Sequence, residues 1–437
     1  MGGEIKEIME CIAEGRKIKK GGKVMKRFHW GGVVIAIGTL LLFGGVGFAA
    51  ETVKIGMMFP LSGPLALMGK ESLNAAEVAR DIINERGGLW GKKIEYSVVD
   101  TPDATAANTE VTRLIIKEGI KVIVGTYGSF LAMAASEVTE REGAIYWETI
   151  SVANKITGRG YKYVFRLNHN ATMMGETAAE YAKSLTGMLK VKPQDFKVAI
   201  ISEDSDFGMS VADAAGKKAK GLGMQLVGDE RYSKNLTDLS SMVLKLKAAR
   251  PDAVIATSYL NDAIMFVKQS REQDFYLKAL LGVGTGYALP DFITALGKYA
   301  DGIFDLDAPV GPKQSGLLPE AQSLYSQFLP RFKAIAGRDP GPLALITYGY
   351  TWALLNDVLP AAGSFDLEKI RAAALKLDKP TGSYPTGVGI KIDQTGQNIR
   401  ANQAVMQWQN KNLKVIWPEN LATANPIMVP LPVWSKR

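Results

Sequence analysis

Two stretches of the chain repeat one order of elements, and that repetition constrains the fold more than any motif does. From Val53 to Gly125 the order is strand (Val53–Phe59), polar loop, helix (about 70–86), strand (about 94–100), helix (about 104–117) and strand (Val122–Gly125). From Lys197 it begins again: strand (198–201), loop (202–210), helix to Lys220, strand (224–228), helix (240–250) and strand Ala253–Thr257. Short apolar, β-branched runs alternating with helical patterns predict parallel sheets covered by helices. The period is longer than the 20–50 residues of a solenoid repeat, so the expected architecture is α/β, with two Rossmann-like lobes. In open sheets of this kind ligands bind beyond the carboxyl ends of the strands. That places Phe59–Met68, Thr126–Phe130 and Glu148–Val152 of one lobe opposite Glu203–Met209, Thr257–Asn261 and Gly282–Tyr287 of the other. Two such edges facing one another make a cleft, a favoured ligand site.

Beyond Asp305 the pattern changes. Residues 319–336, 343–359 and 366–377 read as helices, the second rich in Tyr, Trp and Leu. Strand pairs are expected after the Gly/Pro/Ser-rich stretch 381–389, with Gln394–Asn398 as their turn. The tail, with Pro418, Pro426, Pro430 and Pro432, is expected to run extended over the surface. At least one crossing back to the first lobe is expected, giving 50–167 with 308–385 as lobe one and 168–307 with 386–437 as lobe two.

The start of the chain reads as a processing segment. Met25-Lys26-Arg27, an apolar run from Gly31 to Val46 and the small-residue site Gly47-Phe48-Ala49 form a signal peptide over residues 25–49, cleaved near Ala49. The run is shorter than the ~20 apolar residues of a membrane span. Residues 1–24 are polar and charged, which suggests an extension upstream of a true start at Met25. Cys11, the single cysteine of the 437 residues, falls there, so the exported chain has no disulfide and no cysteine for a lipid anchor. A soluble periplasmic protein is expected. Without residues 1–49 the net charge falls from +8 to +4, 44 basic against 40 acidic residues. With no basic run, nothing here argues for a nucleic-acid partner.

Little catalytic chemistry remains. His169 is the one histidine of the mature chain, so histidine triads and histidine-rich metal sites are nearly excluded, and thiol catalysis and zinc clusters are excluded with the cysteine. Gly63–Lys70 is not a phosphate loop: five residues separate its glycines, and Glu71 stands where Ser or Thr must hold the metal. Gly282-Val283-Gly284-Thr285-Gly286 lacks the full dinucleotide fingerprint and reads as a turn that lets backbone approach a ligand. Glu203–Asp206 reads as a solvated loop with a helix cap. Asp305 and Asp307 alternate along a strand and suit a hinge or edge, while Tyr348, Tyr350 and Trp352 suit a core or a subunit contact. A binder is expected, not an enzyme, with no cofactor and no metal.

The order of several modest motifs resembles the branched-chain amino acid-binding family of periplasmic proteins. They are Ile55-Gly56 with Leu61-Ser62-Gly63-Pro64 and Gly69, Asn84–Gly91, Val124-Gly125 with Ser129, Arg159-Gly160-Tyr161, Phe165-Arg166, Asp206-Phe207-Gly208 and the turn Gln394–Asn398. The resemblance runs from about Val53 to Trp417. It implies the type I periplasmic binding protein fold, closure of two lobes on a small ligand, and docking on ABC transporter permease subunits. A periplasmic sensor of the same fold feeding a signalling receptor is the alternative.

Carried over position by position, the resemblance gives Ser129 a ligand carboxylate, with Ile150, Ser151 and Val152 as a second carboxylate-binding stretch. Phe207 packs over the ligand, Tyr259 faces it from the other lobe, and Met68 closes the side-chain pocket. Acids that usually hold an ammonium group are replaced by Ala171 and Gly284. Either Glu148 supplies that charge from another direction, or the ligand is not an α-amino acid, because a buried ammonium without a charged partner is costly.

Overall fold

The computed structural model describes residues 51–233, 235–401 and 403–437, with one two-residue antiparallel ladder, Lys19–Lys20 against Lys23–Val24, in the first 50 residues. The expected signal segment, its cleavage site, Cys11 and the start at Met25 lie outside the described residues.

Each repeat builds one parallel sheet. The first contains β1 (Thr52–Phe59), β2 (Lys93–Asp100), β3 (Val122–Gly125), β4 (Ile145–Glu148) and β5 (Val164–Arg166), ordered β2-β1-β3-β4-β5. Side chains alternate across β1: Val53, Ile55, Met57 and Phe59 enter the core under α1 (Ala66–Glu85), and Met58 joins Ile123 under α2 (Ala104–Ile116) and α3 (Ser129–Glu142). Burial on both faces is why these strands read as continuous apolar runs.

The second sheet takes α4 (Ala171–Leu189), β6 (Lys197–Glu203), α5 (Asp206–Gly221), β7 (Gln225–Tyr232), α6 (Ser240–Ala249), β8 (Ala253–Thr257), α7 (Leu260–Glu272), β9 (Leu280–Val283) and β10 (Phe304–Asp307). An antiparallel hairpin, β11 (Ala404–Gln409) and β12 (Asn412–Trp417), extends it to the order β12-β11-β10-β9-β8-β6-β7. Val198, Ile200 and Ile255 pack under α4 and α5, while Ala199, Ile201 and Val254 pack under α6 and α7. The α4–α5 contact needs Gly175, because a Cβ there would stand 2.3 Å from the Val211 carbonyl oxygen.

Between β10 and β11 the chain returns to the first lobe as α8 (Pro319–Ala336), α9 (Pro342–Trp352) and α10 (Leu367–Lys376). Tyr348, Tyr350 and Trp352 belong to the first lobe's core. The helix expected over 343–359 is interrupted by a π-helical stretch at Ala353–Val358.

Three sequence-based expectations need correction here. The boundary at 385 is too early: Ile390 and Ile392 sit in the first core, and Arg166 forms a parallel bridge with Gln397, so the last crossing follows Asn398. The turn at Gln394–Asn398 closes a single bridge between Ile392 and Asn398, whereas the β11–β12 hairpin turns at Asn410-Lys411, both at positive φ. Without a glycine that turn has no strong sequence mark. The tail is anchored and not merely draped: Leu431 and Trp434 are buried, and the Trp434 indole donates to the Phe275 carbonyl at 2.8 Å.

Candidate ligand-binding cleft

The carboxyl ends of the two sheets converge on a cavity of about 380 Å³, its open mouth included. Tyr127, Ser129, Ile150, Ser151 and Val152 line it from the first lobe. Phe207, Tyr259, Gly284, Thr285 and Asp307 line it from the second, Met174 from α4, and Asn168 and His169 from the first crossing. Tyr127 meets Tyr259 across it edge-on at 6.1 Å, so the lobes are closed on one another, and Phe207 packs beside Tyr259 on the second lobe at 5.7 Å.

The first-lobe wall presents a helix start and a hydroxyl to the cavity. Helix α3 begins at Ser129 behind Gly128 with no side-chain cap, and both residues border the cavity. The positive end of a helix dipole therefore faces the cavity. The Ser129 Oγ accepts the amides of Val152 (3.3 Å) and Ala153 (3.1 Å), which leaves its own proton to donate.

The loop beside it is held by Glu148. This fully buried carboxylate accepts from the Thr126 amide (3.0 Å), the Ile150 amide (2.7 Å) and the Ser151 amide (2.8 Å) on Oε1, and from the Tyr146 hydroxyl (2.7 Å) on Oε2. Burial pushes its pKa up, and these donors offset part of the rise. Its oxygens are committed within the first lobe and Glu148 does not line the cavity, so the expected alternative ammonium partner is ruled out by geometry. Ser151 borders the cavity, but its hydroxyl donates to the Thr126 carbonyl at 2.8 Å. Met68 is misplaced by the sequence reading. Helix α1 starts at Ala66, earlier than expected, which turns Met68 inward to the core, where its carbonyl accepts from Ser72 Oγ.

On the second lobe Ser205 caps α5, its hydroxyl accepting from the Phe207 amide, but the loop is not wholly solvated as expected: Glu203 is buried and accepts from the Ser205 and Gly208 amides. Phe207 is thereby fixed at the helix start. Gly284 has φ 92° and ψ 161°, a region open essentially to glycine, and a Cβ there would lie 2.8 Å from Phe207 Cζ. No acid can occupy position 284 while Phe207 holds that place. Gly284→Ala is expected to cost about 1–3 kcal/mol and to weaken ligand binding by displacing the Phe207 ring, checked by thermal melts with and without ligand.

Thr285 falls in the strand-end segment Gly282–Tyr287 expected at the cleft, whereas Asn168, His169 and Asp307 were not legible as site residues. Asp307 ends β10, an interior strand and not an edge, at the point where the chain crosses back to the first lobe. Its Oδ2 accepts from Thr285 Oγ1 and its Oδ1 from the Ala308 amide, both at 2.7 Å, and burial pushes its pKa up to about 6. Burial, then the nearby Arg166 charge, holds His169 down to about 3, so it is neutral at neutral pH. Among the described residues no group of His, Cys, Asp and Glu is placed to hold a metal ion, and no helix is long and apolar enough to cross a membrane.

With this geometry in hand, comparison with known proteins is decisive for the family. The model of the periplasmic binding protein family matches residues 52–412. The chain belongs to the periplasmic binding protein family. A curated relative, the Leu/Ile/Val-binding protein homolog 8 of Brucella abortus, is 36% identical over 378 residues, covering 86% of this chain and 93% of its own. The fold is also that of the branched-chain amino acid transporter substrate binding protein of Streptococcus pneumoniae solved with isoleucine (TM-score 0.72, 23% identity, 84% of this chain and 100% of that one). It is shared by a Rhodopseudomonas palustris solute binding protein solved with benzoate (TM-score 0.70, 20% identity, 86% and 98%). A periplasmic binding protein is a binder and not an enzyme, as the sequence predicts.

Proposed function

We propose that this periplasmic binding protein is the extracytoplasmic solute-binding component of an ABC importer. It captures a small carboxylate-bearing ligand by closure of its lobes and delivers it to membrane permease subunits. The observation that carries the reading is the uncapped start of α3 at Ser129, set in a cleft walled by both lobes. Similar proteins support it, since isoleucine and benzoate, held by two chains of this fold, have a carboxylate in common. The leader over residues 25–49 supports export to the periplasm, with cleavage near Ala49.

The test is a thermal-shift screen of amino acids, amides, 2-oxo acids and aromatic acids on protein unfolded and refolded to strip carried-over ligand. A ligand at 100 times its dissociation constant adds about 2.7 kcal/mol to the native state, a readily seen rise in melting temperature. Ser129→Ala is expected to lower affinity for any hit by roughly 10- to 100-fold, the loss of one hydrogen bond to a charged group. A panel in which no carboxylate-bearing compound shifts the melt would overturn the proposal.

A further inference from the structure

A second cavity lies behind the crossings, apart from the cleft. It encloses about 800 Å³, its open mouth included, and shares no lining residue with the cleft. Its walls come from both lobes. Met173 of α4 and Trp417 at the end of β12 belong to the second lobe, Val388 to the first lobe's core, and Pro309 and Gln403 to the crossings. Met174, the next residue on α4, lines the cleft, as does Asp307, two residues before Pro309. The crossings therefore stand between the two spaces, and an occupant of the second touches both lobes.

Gln403 marks this cavity as more than a packing gap. It is 4% exposed and lines the wall, yet neither its Oε1 nor its Nε2 has a hydrogen-bond partner among the described residues. A buried polar atom left unpaired is destabilising, so a carboxamide with both ends free calls for something to bond it. Among the described residues no charged side chain lines the cavity, so a charged occupant would lose its hydration with nothing to compensate it. A carboxamide presents a coplanar N–H donor and C=O acceptor side by side. It forms a closed pair of hydrogen bonds with any ligand edge that has a donor beside an acceptor, as Gln does with a base edge. Trp417, 43% exposed, and Pro418 add flat apolar surface to the same wall. We infer that this cavity is a second ligand site, taking a neutral planar heterocycle with an amide-type edge that Gln403 reads and Trp417 stacks upon. The inference is independent of what the cleft binds.

Calorimetry on matched pairs decides it, with uracil against N,N′-dimethyluracil, 2-pyridone against N-methyl-2-pyridone, and nicotinamide against its N,N-dimethyl amide. Each analogue keeps the ring and loses the donor. The wild-type protein is expected to bind at least one parent compound saturably, about tenfold or more tightly than its analogue. Gln403→Met is expected to weaken that parent at least about tenfold and to remove the preference. Its melting temperature without ligand should be no lower than the wild type's, because two unpaired polar atoms go while volume is kept. Trp417→Ala is expected to weaken parent and analogue alike by about tenfold. Ser129→Ala, in the cleft, should leave these affinities within about twofold. No saturable binding of any parent, as for a cavity that takes water alone, overturns the inference. So does equal affinity for parent and analogue, an affinity unchanged in a folded Gln403→Met, or a loss in Ser129→Ala that puts the compound in the cleft. Should Gln403→Met not fold, an affinity unchanged in Trp417→Ala overturns it instead.

Discussion

Glu148→Ala is expected to lower the stability of the first lobe by about 3–5 kcal/mol and to abolish ligand binding, while Glu148→Gln loses only about 1 kcal/mol. The asymmetry follows from what the carboxylate does. Its Oε1 receives three backbone amides from two segments, Thr126 after β3 and Ile150 and Ser151 after β4. Alanine leaves those N–H groups buried without an acceptor, and a buried unsatisfied donor costs about 1–3 kcal/mol. Glutamine keeps a carbonyl oxygen for the amides and turns its NH2 toward Tyr146, whose hydroxyl can accept. Urea titration followed by tyrosine and tryptophan fluorescence measures both, with calorimetry for the ligand. Equal stability of the alanine and glutamine variants would show that the loop does not depend on this acceptor.

Arg166→Leu is the second change with a large expected effect, again about 3–5 kcal/mol. The Arg166 guanidinium is buried and donates to Gln397 Oε1 (2.6 Å), the Ala153 carbonyl (2.6 Å) and Thr157 Oγ1 (3.0 Å). Gln397 passes the network on, its Nε2 donating to the Asn168 and Asn398 carbonyls. Burial lowers the Arg166 pKa to about 9, still leaving it charged at neutral pH. Leucine fills similar volume but strands three acceptors at the point where two chain crossings meet. Because Arg166 and Gln397 share one network, Arg166→Leu with Gln397→Leu is expected to cost less than the sum of the single changes. Strict additivity in urea unfolding would count against the coupling.

Much of the cleft could be read from sequence because strand ends are marked. β-Branched runs stop abruptly at Gly125, Glu148, Thr257 and Val283, and a parallel sheet sends its ligands to those ends. Ser129, Ile150, Ser151, Val152, Phe207, Tyr259 and Gly284 all border the cavity for that reason. What failed is direction. An acid at a strand end has the same sequence signature whether it faces a ligand or accepts amides two and three residues on, so Glu148 was assigned to the wrong partner. Asp307 is the converse case: alternation with Asp305 on an apolar strand resembles an edge, and only the pairing of β10 with both β9 and β11 shows it to be interior. Asn168 and His169 lie in a crossing, where no periodicity marks the inward face. Met68 was lost to a helix start displaced by about one turn.

The Glu148 staple also orders events in time. The loop amides and the α3 start are fixed by bonds internal to the first lobe, so that lobe presents a finished landing surface before any ligand arrives. The second lobe then adds Phe207, Tyr259 and Asp307 as the molecule shuts. Under the proposed closure on a ligand, encounter would fall to the first half and escape to the second, so residence time would be set by the closing lobe. Under the proposed delivery to a permease, withdrawal of the second half alone would leave the cargo resting on an open shelf.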